Sequence, residues 1–124
     1  MDYRILIVDD IYTNRLLLKE IVKKFCRSCV EAQNGKEAIE ILARDEFDII
    51  FMDIEMPVMN GLETTKYIRE KFSYPKKNIP IVALTAYNPS NFFADFTEAG
   101  FNHLLTKPYT IDSLLNCIKA LCDK

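Results

Sequence analysis

The sequence predicts an α/β protein in which a parallel sheet is covered by helices on both faces, a doubly wound fold. Two observations predict it. The chain has 124 residues, the length of one domain with one core. Five short apolar runs alternate along it with five segments of helical periodicity. Alternation of this kind requires parallel strands joined by right-handed helical crossovers. We therefore expect a single (βα)5 domain over residues 1–124.

The first half of the chain contains two strand–helix units. Tyr3–Val8 is a short apolar run that leaves no room for a helix before two aspartates, and it is predicted to be a buried strand. Residues 11–25 carry Leu17, Ile21 and Phe25 at a spacing of four, which predicts a helix with a wide apolar face. A short strand is predicted at 29–33, followed by a helix that Asn34 caps, with Glu37 reaching back to the cap.

The second half supplies the other three units. Strands are predicted at 47–52, 79–84 and 102–106, and helices at 62–72 and 90–99, with Gly100 placed to end the latter. Thr110 is predicted to cap a last helix that ends near Cys122.

Composition excludes several classes of function. Sixteen basic and eighteen acidic side chains give a net charge of −2, so the chain lacks the basic excess of a nucleic-acid-binding protein. Its three glycines are widely separated, which excludes a glycine-rich loop around a phosphate. No segment has the pattern of a signal peptide or the length of a membrane span, and we expect a cytoplasmic domain that does not contact the membrane.

The four cysteines favour ordinary thiols over a metal site. Cys26 and Cys29 form a C-x-x-C pair, but Cys117 and Cys122 are spaced by five. On a helix that spacing points the two sulfurs away from a common face. Both pairs are expected on helices that could be neighbours, which leaves a zinc site as the minor alternative.

Polar side chains follow four of the five predicted strands. Asp9 and Asp10 follow the first, Asp53 the third, Thr85 the fourth and Lys107 the fifth. In doubly wound sheets, ligands bind at the carboxyl ends of the strands. A polar loop residue is unremarkable when taken singly, but five at one edge of one sheet indicate a functional site.

The charges of these residues indicate the chemistry. Two unit charges about 4 Å apart repel by about 4 kcal/mol at an effective dielectric constant of about 20. Three carboxylates therefore call for a cation, and Mg²⁺ prefers oxygen ligands. Lys107 and the Thr85 hydroxyl suit phosphoryl oxygens. The set predicts a phosphoryl-transfer site in which Asp53, placed singly beside the pair, is the nucleophile.

In four segments the sequence resembles the receiver domain of two-component response regulators, the CheY-like group. The segments are ILIVDD at 5–10, FMDIEMPVMNGLE at 51–63, IVALTA at 81–86 and LLTKPY at 104–109. The run MPVMNGLETTKYIR and Asn14 are most similar to receivers attached to hybrid sensor histidine kinases. The resemblance implies a flavodoxin-like three-layer sandwich with strand order 2-1-3-4-5.

The resemblance also implies a role for each site residue. Asp53 would accept a phosphoryl group from the phosphohistidine of a sensor histidine kinase or of a histidine phosphotransfer protein. Asp10, Asp53 and the backbone carbonyl of Glu55 would bind Mg²⁺ (or Mn²⁺), with Asp9 acting through a water. Thr85 and Lys107 would contact the phosphoryl oxygens, and the Lys107–Pro108 peptide bond would be cis.

Such a domain is not a conventional enzyme, since it catalyses its own phosphorylation and dephosphorylation. We expect it to signal through a conformational change to a downstream protein on the face made by the fourth helix, the fifth strand and the fifth helix. Two alternatives remain open: a pseudo-receiver that binds proteins without phosphorylation, and a Mg²⁺-dependent phosphohydrolase. The chain ends soon after the fifth helix, which predicts either a stand-alone regulator or a piece of a hybrid kinase.

Three positions depart from the common receiver pattern. Leu104 stands where many receivers carry an aromatic residue that turns inward on activation, so transmission through an aromatic switch is not expected. Glu55 and Tyr87 occupy two positions that tune phosphoryl lifetime in the family. Both can crowd the attacking water, which predicts slow self-dephosphorylation.

Overall fold

The computed structural model of the chain describes residues 3–24, 26–86 and 98–122, and it confirms the predicted fold and strand order. Five parallel strands form one sheet in the order β2-β1-β3-β4-β5. The strands are β1 (Tyr3–Val8), β2 (Cys26–Ala32), β3 (Ile49–Asp53), β4 (Ile81–Thr85) and β5 (His103–Thr106). The described helices are α1 (Tyr12–Val22), α2 (Gly35–Arg44), α3 (Gly61–Lys71) and α4 (Ile111–Cys122), the last being the fifth helix of the prediction.

Two apolar layers hold the sheet between the helices. Because side chains alternate along a strand, Ile5 and Ile7 of β1 face one layer and Leu6 and Val8 face the other. The first layer includes residues of α1 and α4, and the second includes residues of α2 and α3. Strands buried on both faces read as continuous apolar runs, which is why the sequence located the central strands so directly.

The edge strand β2 begins earlier than predicted. The sequence indicated 29–33, whereas β2 spans Cys26–Ala32 and pairs with β1 along its whole length. Tyr3 pairs with Cys26 but Arg4 pairs with Ser28, so one extra residue, Arg27, is accommodated by a register shift. Cys26 and Cys29 therefore lie on a strand, and our placement of this pair on a helix was wrong.

Helix α1 differs from its prediction in length and orientation. It ends at Val22, although periodicity extended it to residue 25. Leu17, which we assigned to the apolar face, is 57% exposed. The buried stripe instead consists of Arg15, Leu18 and Val22. The inward orientation of Arg15 was not predicted, because the residue that pairs with its charge lies on another element.

Capping residues fix the starts of three helices. Asn34 accepts a hydrogen bond from the Glu37 amide at 2.8 Å, as predicted, but the Glu37 carboxylate accepts from the Gln33 amide instead of the cap itself. Thr110 accepts from the Ser113 amide at 3.0 Å at the start of α4, as predicted. Helix α3 begins one residue before the prediction, with a full capping box between Asn60 and Glu63.

The other differences concern element ends. Strands β3 and β4 both run one residue further than predicted, so that Asp53 and Thr85 are their last residues. A 3₁₀ turn, Lys76–Asn78, lies in the predicted loop before β4. Most of the predicted helix at 90–99, and Tyr87 with it, lies outside the described residues. Glu98 and Ala99 are helical, and Gly100 follows with φ of 101°, a left-handed conformation that suits a helix end.

Candidate functional site

The predicted site residues converge at the carboxyl edge of the sheet. Asp9 and Asp10 directly follow β1, Asp53 ends β3 and Thr85 ends β4. Lys107 directly follows β5. Asp9, Asp53 and Thr85 are buried, whereas Asp10 is exposed, so the group extends from the end of the sheet to the solvent.

Three carboxylates form the acidic part of this site. One oxygen from each of Asp9, Asp10 and Asp53 lies within 4.8 Å of the others. Among the described residues, no other group of three or more acidic, histidine or cysteine side chains meets the same condition. The cysteine pairs of β2 and α4 thus do not build such a cluster within this part of the chain.

Lys107 provides the cation of the site. Its Nζ lies 3.4 Å from Oδ1 of Asp53 and 3.6 Å from Oδ2 of Asp9. Its amide donates to the Thr85 carbonyl at 2.7 Å, which ties the end of β5 to the end of β4. The Lys107–Pro108 peptide bond is cis, as the resemblance implied. One ammonium group is therefore held between two of the three carboxylates.

Asp9 is held by contacts at each of its polar atoms. Its amide donates to the Ala32 carbonyl at 3.1 Å, and its Oδ1 accepts from the Ile11 amide at 2.9 Å. Its Oδ2 faces Lys107, and its carbonyl accepts from Nη1 of Arg15 at 2.7 Å. These contacts together define the position of the loop after β1.

The loop after Asp53 folds back closely on the strand end. The Ile54 amide donates to the Leu84 carbonyl and the Gly61 amide to the Ile54 carbonyl. A Cβ at Gly61 would lie 2.5 Å from the Asp53 carbonyl oxygen, so the residue at 61 must be glycine. Within this loop Val58 has a φ of 72°, a strained conformation for a β-branched residue.

The electrostatics of the site show uncompensated negative charge. Burial and the neighbouring Asp9 carboxylate raise the pKa of Asp53 from 3.8 to about 6, although Lys107 acts in the opposite direction. Burial, together with the charges of Asp9 and Asp53, raises the pKa of Tyr109 to about 12. Both shifts have the sign expected of acidic groups that are buried beside carboxylates.

These residues fit a hard divalent cation. The donor set is made of carboxylate oxygens, which Mg²⁺ and Mn²⁺ favour over sulfur or imidazole. The three oxygens are close enough to share one ion. A divalent charge would also relieve the repulsion that raises the pKa of Asp53. Asp9, Asp10 and Asp53 are thus the residues of this site that could hold a metal.

Three further positions were singled out in the sequence, and the structure describes two of them. Glu55 is exposed two residues beyond Asp53, and the role of its backbone carbonyl stays a prediction. Leu104 is half-buried on β5 and pairs with Ala83 of β4. Tyr87 lies outside the described residues, so the expectation of slow dephosphorylation stays a prediction.

Sequence reasoning missed Arg15. The signal was present, because positions 15, 18 and 22 share one face of α1 and two of them are apolar. A charge on such a stripe must be paired when it is buried. The partner, Glu31 on β2, could not be identified without the fold.

Comparison with known proteins decides the family. A family model described as the response regulator receiver domain matches residues 5–119. The chain belongs to this family. As a receiver domain it takes part in two-component phosphorelay signalling, and the phosphohydrolase alternative is not favoured.

Relatives and solved structures agree with this assignment. Hybrid signal transduction histidine kinase A of Dictyostelium discoideum is 40% identical over 115 residues, 91% of this chain but only 5% of that protein. Sporulation initiation phosphotransferase F of Bacillus subtilis is 31% identical over 119 residues, 96% of this chain and 93% of that protein. The receiver domain of a sensor histidine kinase from Pseudomonas aeruginosa, with a magnesium ion coordinated in its active site cleft, superposes with a TM-score of 0.89 at 26% identity and full coverage of both chains.

None of the helices in residues 3–24, 26–86 and 98–122 combines the length and the apolar character needed to cross a bilayer.

Proposed function

We propose that this receiver accepts a phosphoryl group on Asp53 from a phosphohistidine, in a reaction that requires Mg²⁺ or Mn²⁺. A carboxylate oxygen of Asp53 forms the new bond to phosphorus as the bond from phosphorus to the histidine nitrogen breaks. The observation that supports this most strongly is the position of Asp53. It ends β3 with an oxygen of each of two further carboxylates within 4.8 Å and with Lys107 Nζ 3.4 Å away.

Each neighbouring residue has a distinct role in this proposal. Asp9, Asp10 and Asp53, with the Glu55 carbonyl, would hold the metal ion, which supplies positive charge to the phosphoryl oxygens when bound. Lys107 and the Thr85 hydroxyl would bind the other phosphoryl oxygens. Lys107 already lies against Asp53 and Asp9, so it needs only a short movement to follow the phosphoryl group.

Acetyl phosphate provides the direct test of this function, since it needs no protein partner. With Mg²⁺, the intact mass of the wild-type receiver should rise by one phosphoryl group. Asp53→Asn should gain none, and wild-type protein in EDTA should gain none. Wild-type protein that gains no mass with Mg²⁺ would show a pseudo-receiver, and steady phosphate release from an ordinary phosphoester would show a hydrolase.

We further propose that the histidine-bearing donor docks on an apolar surface beside the site. Its residues are exposed, and each follows the carboxyl end of a strand. On α1 they include Tyr12, Leu16 and Leu17, and Val58 and Ile111 lie in the same layer of loops and helix starts. Exposed apolar residues on segments that follow the strand ends, where Asp53 lies, support a protein contact surface on this side of the molecule.

Leu17→Asp tests this docking surface. Phosphorylation by acetyl phosphate should proceed as in wild type, whereas transfer from a phosphorylated histidine phosphotransfer domain should slow by about tenfold, equivalent to about 1.4 kcal/mol. Tyr74→Asp is the control, because Tyr74 is also an exposed apolar residue, at 77% against 57% for Leu17, but precedes β4 at the opposite edge of the sheet. If phosphotransfer slowed equally in both variants, the proposed docking surface would be wrong.

The larger context is also a proposal. We infer that the chain is one receiver domain over residues 1–124, that it works in the cytoplasm, and that it is either a stand-alone regulator or part of a hybrid kinase. A downstream protein would bind the face of the fourth predicted helix, β5 and α4. The described part of that face has a cavity of about 360 Å³ lined by residues of β5 and α4, among them Leu105, Asn116 and Cys117.

A further inference from the structure

A buried guanidinium lies directly behind the acidic loop. The Arg15 side chain on α1 is only 10% exposed. Its Nη1 donates to the Asp9 carbonyl at 2.7 Å, and its Nε donates to Oε1 of Glu31 on β2 at 3.0 Å. A single side chain thus connects the helix, the edge strand and the loop that carries two of the three carboxylates.

The contact with the Asp9 carbonyl constrains Asp10 as well. That carbonyl belongs to the peptide group that joins Asp9 to Asp10, and a peptide group is planar. Fixing the direction of its oxygen therefore fixes the direction in which the chain leaves toward Asp10. Asp10 is exposed, so burial does not hold its side chain in place.

Glu31 balances the charge of Arg15. An unpaired guanidinium so close to Asp9 would oppose the binding of a cation by the three carboxylates. The Glu31 carboxylate pairs with Arg15 through one oxygen and with Lys19 through the other, at 3.3 Å. Lys19 is half-exposed and has no hydrogen bond to Asp9 among the contacts of the described residues.

We propose that Arg15 is a positioning residue for the divalent-cation site, and that Glu31 acts through Arg15 by holding it in place and neutralising it. This inference rests on the proposed Mg²⁺-dependent function. Partners that orient metal ligands from behind typically contribute tenfold to a hundredfold to metal affinity. Arg15 and Glu31 make no contact with the phosphoryl group in this arrangement, so their effect should appear in metal binding itself.

Metal titrations of single and double variants test the inference. Mn²⁺ binding is followed by electron paramagnetic resonance and Mg²⁺ by competition, at a temperature where circular dichroism shows every variant folded. Arg15→Met should weaken Mg²⁺ binding by at least about tenfold. Glu31→Gln should weaken it by a smaller factor, and the double variant should bind no more weakly than Arg15→Met alone.

Lys19→Met is the matched control, since Lys19 shares the Glu31 carboxylate but not the contact with Asp9. Its Mg²⁺ affinity should equal that of wild type. Additive losses in the double variant, or wild-type affinity in Arg15→Met, would overturn the inference. If Arg15→Met does not fold, Glu31→Gln and Lys19→Met still test the proposal. Equal Mg²⁺ affinities in these two variants would contradict the proposed role of Arg15. Wild-type protein that does not bind Mg²⁺ would reject the proposed function instead.

Discussion

At the scale of single residues, the carboxylate of Asp53 is the proposed phosphoacceptor, and its ionisation also lowers the stability of the folded protein. Its carboxylate is buried beside Asp9, and its pKa is raised from 3.8 to about 6. Between these values the folded protein keeps a proton that the unfolded chain has lost. Ionisation of Asp53 therefore lowers the free energy of unfolding as the pH rises through this window, provided that no metal is bound.

Asp53→Asn should accordingly stabilise the metal-free protein at neutral pH. In EDTA the melting temperatures of wild type and variant should be closest below the unfolded pKa of 3.8, diverge up to about pH 6 with wild type falling behind, and stay apart above it. Saturating Mg²⁺ should raise the melting temperature of wild type more than that of the variant. A difference that does not change with pH would contradict this account of the site.

Val58 is a second residue that lowers the stability of the folded protein, here through its backbone conformation. It is 77% exposed, and its φ of 72° is strained for a β-branched side chain. Asparagine tolerates this conformation, so Val58→Asn should raise the free energy of unfolding in urea by about 1 kcal/mol. Val58→Ala keeps most of the strain and serves as the control. A loss of stability in Val58→Asn would show that the Val58 side chain contributes contacts that outweigh the strain.

At the scale of elements, Arg69 of α3 joins three segments at the far end of the molecule. All five of its N–H groups are used, with acceptors on Gly100, Lys77, Ile79 and Asn102. Gly100 must be glycine here, because a Cβ would lie 2.8 Å from Cγ of Arg69 and its φ is positive. The guanidinium thus holds the starts of β4 and β5 against α3.

Arg69→Met should cost about 3 kcal/mol of unfolding free energy in urea, because half-buried acceptors on several segments lose a charged donor. Lys71→Met, at an exposed position on the same helix, should change stability by no more than about 0.5 kcal/mol. Similar losses of unfolding free energy in the two variants would indicate that the Arg69 hydrogen bonds stabilise the protein no more than surface contacts do.

The elements also show where sequence reasoning reaches its limit. Central strands such as Ile49–Asp53 are buried on both faces and were found within two residues. The edge strand β2 was misplaced at its start because Cys26 to Ser28 have no apolar pattern, and only pairing with β1 makes them a strand. The orientation of α1 was missed because Glu31, on another element, allows Arg15 to face inward.

At the scale of the whole molecule, the site follows from topology. The five predicted residues were expected at one edge because parallel strands end there. Asp9, Asp10, Asp53 and Lys107 do lie together at this edge, and Thr85 ends β4 beside them in the sheet. What the sequence could not supply were the distances and burial that decide charge balance, such as the position of Lys107 between two carboxylates. The net charge of −2 conceals this local excess of carboxylates.

Chemical location of the phosphoryl group tests most directly whether Asp53 is the phosphoacceptor. The wild-type receiver is incubated with acetyl phosphate and Mg²⁺, reduced with borohydride, which converts an aspartyl phosphate to homoserine, and mapped by peptide mass spectrometry. Homoserine is expected at position 53 and nowhere else. Homoserine at Asp9 or Asp10, or at no position, would contradict it.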